Sequence, residues 1–275
     1  MSLLHVALVS EESSISFSEL TTVSAALQKQ VLQDYYPIWG IKATVNAFHT
    51  LNDVPIGTWP IVIMDDIGEP GAEGIHEDKN GQPIALVTFD PGWSLTASHE
   101  LIEMLTDPDG NRTMPGQSPK KGQGRVEFLV EPCDPSEDTR YAYKINNVLV
   151  SDFYTPHFFE PVTAPAVKYS FTGAIKKPRQ VLPGGYLSWF DSVSDSWWQE
   201  TYFGKRKFVN LGSTGRLEGS IRSWIIRRTK PYYKKLEPSA KDMQEINAGV
   251  KSAMRSRSAR ADLWRDRIKE LTGRR

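Results

Sequence analysis

Cysteine is almost absent from this chain. Cys133 is the single copy in 275 residues, so no internal disulfide can form and a disulfide-stapled scaffold is excluded. Histidine is scarce too, with five copies. No apolar run approaches the roughly 18–20 residues of a spanning helix, so an integral membrane protein is not expected. The short apolar start Leu3–Val9 has no basic residue before it and no cleavage-like small-residue pattern after it, which predicts a protein kept in a reducing, cytoplasmic compartment. A hydrophobic share of 39% with 24% charged residues excludes disordered and collagen-like classes. The length allows a sizeable core in one large domain or two small ones.

Net charge is missing as well, but only in total. Residues 221–275 carry 16 Lys and Arg against 6 Asp and Glu, which leaves 17 against 27 for residues 1–220. The two parts are charged oppositely, by ten units each way.

Along the chain, Leu3–Val9 reads as a buried strand. Apolar residues at Leu20, Val23, Ala26, Leu27, Val31 and Leu32 give a helical period up to Tyr36 that Pro37 should end. Ile41–Phe48 and Trp59–Met64 read as further strands. Asn80-Gly81 between two extended runs predicts a hairpin, and a helix over about 95–106 follows it, capped by Ser94 or Thr96 and stopped at Asp107-Pro108-Asp109-Gly110. Residues 107–124 read as loop, Arg125–Glu131 as a strand, and Tyr141–Val150 as a hairpin around Asn146-Asn147. Residues 165–220 are rich in Gly, Trp and Tyr. From Pro238 a helical pattern with many Arg takes over.

The segment with chemical content is Ser98-His99-Glu100-Leu101-Ile102-Glu103. On a helix His99 and Glu103 share a face one turn apart. An imidazole and a carboxylate so placed can ligate one cation and leave Glu100 free to polarise a water. A His-Glu-x-x-Glu string arises by chance about 0.02 times in a chain of this composition.

With the hairpin before it, and with Thr106-Asp107-Pro108 and Glu131-x-Cys133-Asp134 after it, this helix resembles those of zincin-like metallopeptidases, in particular a group of uncharacterised bacterial proteins that is distantly exordium-like. The resemblance covers roughly residues 1–160. It implies an α+β fold with a zincin-like mixed sheet and an active-site helix, His99 and Glu103 as metal ligands, Glu100 as general base, and a third ligand from Glu131 or Asp134. It also implies Zn²⁺ as the ion, and a shell this rich in oxygen admits Mn²⁺ or Ca²⁺ too. The expected activity is that of a metal-dependent peptidase or amide hydrolase acting on a peptide or protein, with strand Ile84–Phe89 aligning an extended substrate. The alternative is a zincin-fold binding or structural protein without catalysis.

Other polar residues have plainer readings. His157 lies in an irregular stretch, where it is either a third ligand, an oxyanion stabiliser or a loop histidine without function. Tyr143 and Tyr154 are candidate donors to an intermediate or core aromatics. His76 reads as solvent-facing and Cys133 as a small buried hydrophobe rather than a thiolate ligand. Asp107–Asn111 reads as a helix stop, since it lacks the spacing of a calcium loop.

The division expected is 1–164 as the metal-binding domain, 165–220 as an aromatic-rich irregular or β segment packed on it, and 221–275 as a basic, mostly helical extension. Arg222, Arg227 and Arg228 belong to that extension. It reads as solvated or docked on a partner in preference to a nucleic-acid surface.

Overall fold

The computed structural model describes residues 3–69, 72–79, 81–217, 219–229 and scattered positions between 248 and 265. The opening apolar run forms β1 (Leu4–Ser10), whose Val6–Val9 are buried. Ser16 then caps α1 (Phe17–Lys29) by accepting the Glu19 N–H, which satisfies one of the helix's free donors. A π-helical stretch, Gln30–Tyr35, continues into α2 (Tyr36–Trp39). Pro37 therefore does not end the helix. It follows directly on the π-helical stretch at the start of α2, and left-handed Gly40 (φ 70°) makes the stop.

Strands β2 (Ala43–Ala47), β3 (Trp59–Met64), β4 (Gly74–Lys79) and β5 (Gln82–Thr88) complete the first sheet. Its order is β2-β1-β3-β5-β4, parallel except for β4, which runs antiparallel to β5. Strand β5 thus has neighbours on both sides; the end strands are β2 and β4, and β4 is the one packed against the helix that follows β5. The expectation of a substrate aligned on Ile84–Phe89 fails for that reason.

Helix α3 (Trp93–Thr106) begins after Gly92, two residues before its expected start. Neither Ser94 nor Thr96 caps it; instead Asp90 Oδ1 accepts the Gly92 N–H at 2.6 Å. Leu101, Ile102, Met104 and Leu105 pack with α1 and the first sheet in the larger core. A buried network ties the start of the motif in place: Ser98 Oγ donates to Gln30 Oε1 (2.8 Å) and accepts from Ser151 N (2.9 Å).

The second sheet is antiparallel, in the order β12-β11-β10-β7-β6. It joins β6 (Thr113–Gln117) and β7 (Arg125–Leu129) to β10 (Tyr186–Asp191), β11 (Ser196–Thr201) and β12 (Lys207–Gly212). The stretch expected as loop over 107–124 therefore contains a strand. Its Pro115 and Gly116 are tolerated because β6 is the last strand of the sheet, and Gly116 lies under the Phe128 ring. The aromatics of 165–220 fill a second core, with Trp189 beside Phe128. In the chain between β7 and β10 comes a separate hairpin, β8 (Tyr143–Ile145) and β9 (Val148–Val150), which packs in the larger core and is turned by Asn146 and Asn147 at φ 51° and 69°, as a two-residue turn requires.

Helix α4 (Ile221–Thr229) closes the described continuous chain. The helical run expected from Pro238 lies outside the described residues apart from scattered helical positions. The chain is α+β, and no helix among its described residues is long and apolar enough to cross a membrane.

Candidate metal centre

Helix α3 and the 3-10 turn Asp134–Ser136 carry the groups that meet. Cys133 N–H donates to Glu103 Oε1 at 3.2 Å, joining the helix to the start of that turn. With Oε1 engaged, Glu103 Oε2 faces His99 Nε2 at 3.2 Å, and Asp134 Oδ1 approaches the same nitrogen at 3.4 Å. Gly185 lets the turn sit there: a Cβ at that position would come within 2.6 Å of the Asp134 and Pro135 carbonyl oxygens.

The other expected residues divide clearly. Glu131 is buried, with Oε2 at 2.6 Å from Arg222 Nη1. Glu100 is buried beneath β4, and its Oε2 lies 3.3 Å from His76 Nδ1. Tyr154 is fully buried against Phe158, and its hydroxyl has no hydrogen-bond partner. Burial and the nearby Glu131, Glu103 and Asp134 push its phenol well up. His157 is elsewhere, exposed and paired with Glu160. Tyr143 donates to Asp34, away from the cluster. Cys133 is buried, its thiol directed at the His99 carbonyl, and burial raises its pKa.

Four residues at the cluster were not anticipated. His76 is not solvent-facing: it is 1% exposed, with Nε2 donating to the Asp107 carbonyl at 3.1 Å. Asp107 is more than a helix stop, since its buried carboxylate accepts the Asn111 and Arg112 N–H groups. Arg222 is no solvated tail residue: Nη2 lies 2.8 Å from Glu103 Oε2, and Nη1 lies 3.2 Å from Asp134 Oδ2. Glu137 joins His99 and Asp134 in a group whose ligand atoms lie within 4.8 Å of one another. Its signal was the three-residue spacing Glu131, Asp134, Glu137. His76 and Arg222 had no local signal at all.

The electrostatics follow from burial. Burial opposes charge on His99, yet Glu103 and Asp134 raise its pKa well above the usual histidine range. For Glu103, burial is overcome by Arg222 and then by His99, and its pKa falls well below the usual range. Glu131 and Asp134 go the other way, raised by burial and by Glu103 despite Arg222.

Tested against a divalent ion, the donors fall into two overlapping groups, His99, Asp134 and Glu137, and Glu103, Glu131 and Asp134, each with its ligand atoms within 4.8 Å of one another. Glu103 Oε2 and Asp134 Oδ1 are buried and face cationic side chains, His99 at 3.2 and 3.4 Å and, for Glu103, Arg222 at 2.8 Å, while Cys133 N–H and Arg222 Nη1 hold the other oxygens. A tetrahedral zinc with bonds of about 2.0–2.1 Å spaces its donors about 3.3 Å apart, close to the 3.2 and 3.4 Å measured from His99 Nε2. Arg222 is shared by Glu103, Glu131 and Asp134, so with all three ionised two negative charges remain for one divalent cation. No family model, curated protein or solved structure matches the chain.

Proposed function

We propose that the chain is a zincin-like metal-dependent hydrolase of peptide or amide bonds, with His99, Glu103 and Asp134 holding the ion. The observation that carries this reading is that Glu103 Oε2 and Asp134 Oδ1 both approach His99 Nε2, at 3.2 and 3.4 Å, near the donor spacing of a tetrahedral zinc. Of the third ligands the sequence leaves open, Glu131, Asp134 and His157, Asp134 is favoured because its Oδ1 lies 3.4 Å from His99 Nε2, whereas His157 is exposed and paired with Glu160. Bound there, a divalent ion supplies Lewis-acid polarisation of a carbonyl and acidifies a nearby water.

The protein's own groups do the rest. Glu100 accepts the proton of the attacking water, and His76, fixed by the Asp107 carbonyl, orients its carboxylate. The main chain of β4 passes directly over Glu100 at Gly74, so an extended peptide added to that end strand would bring its carbonyl towards the base. On this reading substrate alignment falls to residues 74–79.

Metal analysis of the full chain beside His99→Ala and Asp134→Asn tests the site; a parent without stoichiometric metal would sink it. Glu100→Gln tests catalysis, with metal retained and cleavage of a peptide library lost. The second reading, a binding protein without a metal, is favoured by Arg222, whose buried guanidinium already supplies a cation to three carboxylates.

A further inference from the structure

Arg222 comes from a part of the chain that the active-site motif does not include, yet its side chain is 4% exposed. Among the described residues it is the one Lys or Arg paired with Glu103, Glu131 and Asp134. Removing a guanidinium from water is costly unless anions are waiting for it, and here its planar fork spans carboxylates on both sides, which a lysine could not do. One contact stands out. Glu103 Oε2 is 2.8 Å from Arg222 Nη2 and 3.2 Å from His99 Nε2, so the oxygen that would bind the ion is the oxygen that binds the guanidinium.

We propose that Arg222 is a tethered cation that competes with the divalent ion: it holds the carboxylates together in the metal-free chain and weakens metal uptake while it remains in place. The inference rests on reading His99, Glu103 and Asp134 as the ion site. Two positive groups sharing one buried oxygen repel strongly, because little water lies between them to screen the charges. Charge repulsion therefore gives the effect its sign.

The anchorage of α4 suits a displaceable group. Its first turn is held to the loop after α3 by Arg222 N–H to the Gly110 carbonyl (2.9 Å) and Ile221 N–H to Asn111 Oδ1 (2.8 Å). Beyond that, Trp224 and Ile225 pack with Leu129, Trp197 and Leu211 in a small cluster separate from the two larger cores. The helix is thus anchored outside the two larger cores, although it also touches β4 of the first sheet.

The test is zinc titration of the full-length chain, stripped with chelator, as the parent, Arg222→Met, Arg222→Lys and His99→Ala, with melting temperatures read with and without zinc. Arg222→Met should bind zinc about tenfold or more tightly than the parent. Its metal-free form should melt lower, and zinc should close the gap. If Arg222→Met does not fold without metal, Arg222→Lys carries the test, because it keeps the charge but loses the fork: its zinc affinity should exceed the parent's. Zinc binding by Arg222→Met alone, with none by the parent, would also support the proposal. Unchanged or weaker binding in the Arg222 variants, with binding lost in His99→Ala, overturns it and leaves the ion site standing. No zinc binding by any form overturns both.

Discussion

A methyl group at position 74 would sit 2.6 Å from Glu100 Oε1 and 2.8 Å from Thr96 Cγ2. Gly74→Ala must therefore push β4 away from α3 or displace the buried Glu100 carboxylate from His76. A loss of about 1–3 kcal/mol is expected, measured as a lower denaturant midpoint, and an unchanged midpoint would mean β4 gives way freely. His99 makes a second prediction for the metal-free protein. Its folded pKa is raised, so its pairing with Glu103 and Asp134 contributes fully below the ordinary histidine range and is lost as pH rises through the elevated value. Denaturation in chelator at successive pH should show that decline in the parent and not in His99→Gln. Residues of this kind were legible in proportion to how local their partners are. His99, Glu100 and Glu103 follow from helical spacing. Arg222 reaches Asp134 across 88 positions, and nothing in its neighbours Ile221 and Ser223 hints at that.

Most elements were visible in their own residues, and the exceptions have physical causes. Strand β6 contains Pro115 and Gly116, poor strand formers that an end position tolerates, so it looks like loop until β7 is beside it. Helix α3 starts early because Asp90 organises the preceding turn, whereas the hydroxyls of Ser94 and Thr96 only imitate a cap. Strand β5 alternates as a half-buried strand should, but its own sequence says nothing about the neighbour on each side of it. The turn carrying Asp134 shows how one element positions another. Its carbonyls lie against Gly185, just before β10, and backbone cannot rotate aside as a side chain can. Gly185→Ala should therefore shift the Asp134 turn, destabilise the chain by about 1–3 kcal/mol, and weaken zinc binding through residues it does not touch. Normal zinc affinity in a destabilised Gly185→Ala protein would show that the turn moves without its carboxylate.

At the scale of the molecule, an ion bound only by the folded state stabilises all of it. Zinc at about a hundred times its dissociation constant would add about 2.7 kcal/mol, so the melting temperature should fall with chelator in the parent and stay put in His99→Ala. The opposite charges of residues 1–220 and 221–275 were plain in the composition, and the first described turn of the basic part brings one of its arginines into the acidic cluster. Which arginine, and onto which acids, no count of charges reveals. The lone Cys133 gives the same region a clock. Its thiol is fully buried, with the backbone N–H of that residue bonded to Glu103 and the sulfur against the His99 carbonyl, so a thiol reagent can react only when α3 and the Asp134 turn part. Labelling kinetics then report the opening frequency of the ion site itself, at one atom and without any engineered probe. Zinc should slow labelling, and Arg222→Met should speed it in chelator. A labelling rate indifferent to both would show that the sulfur is reached by some route that leaves the cluster closed.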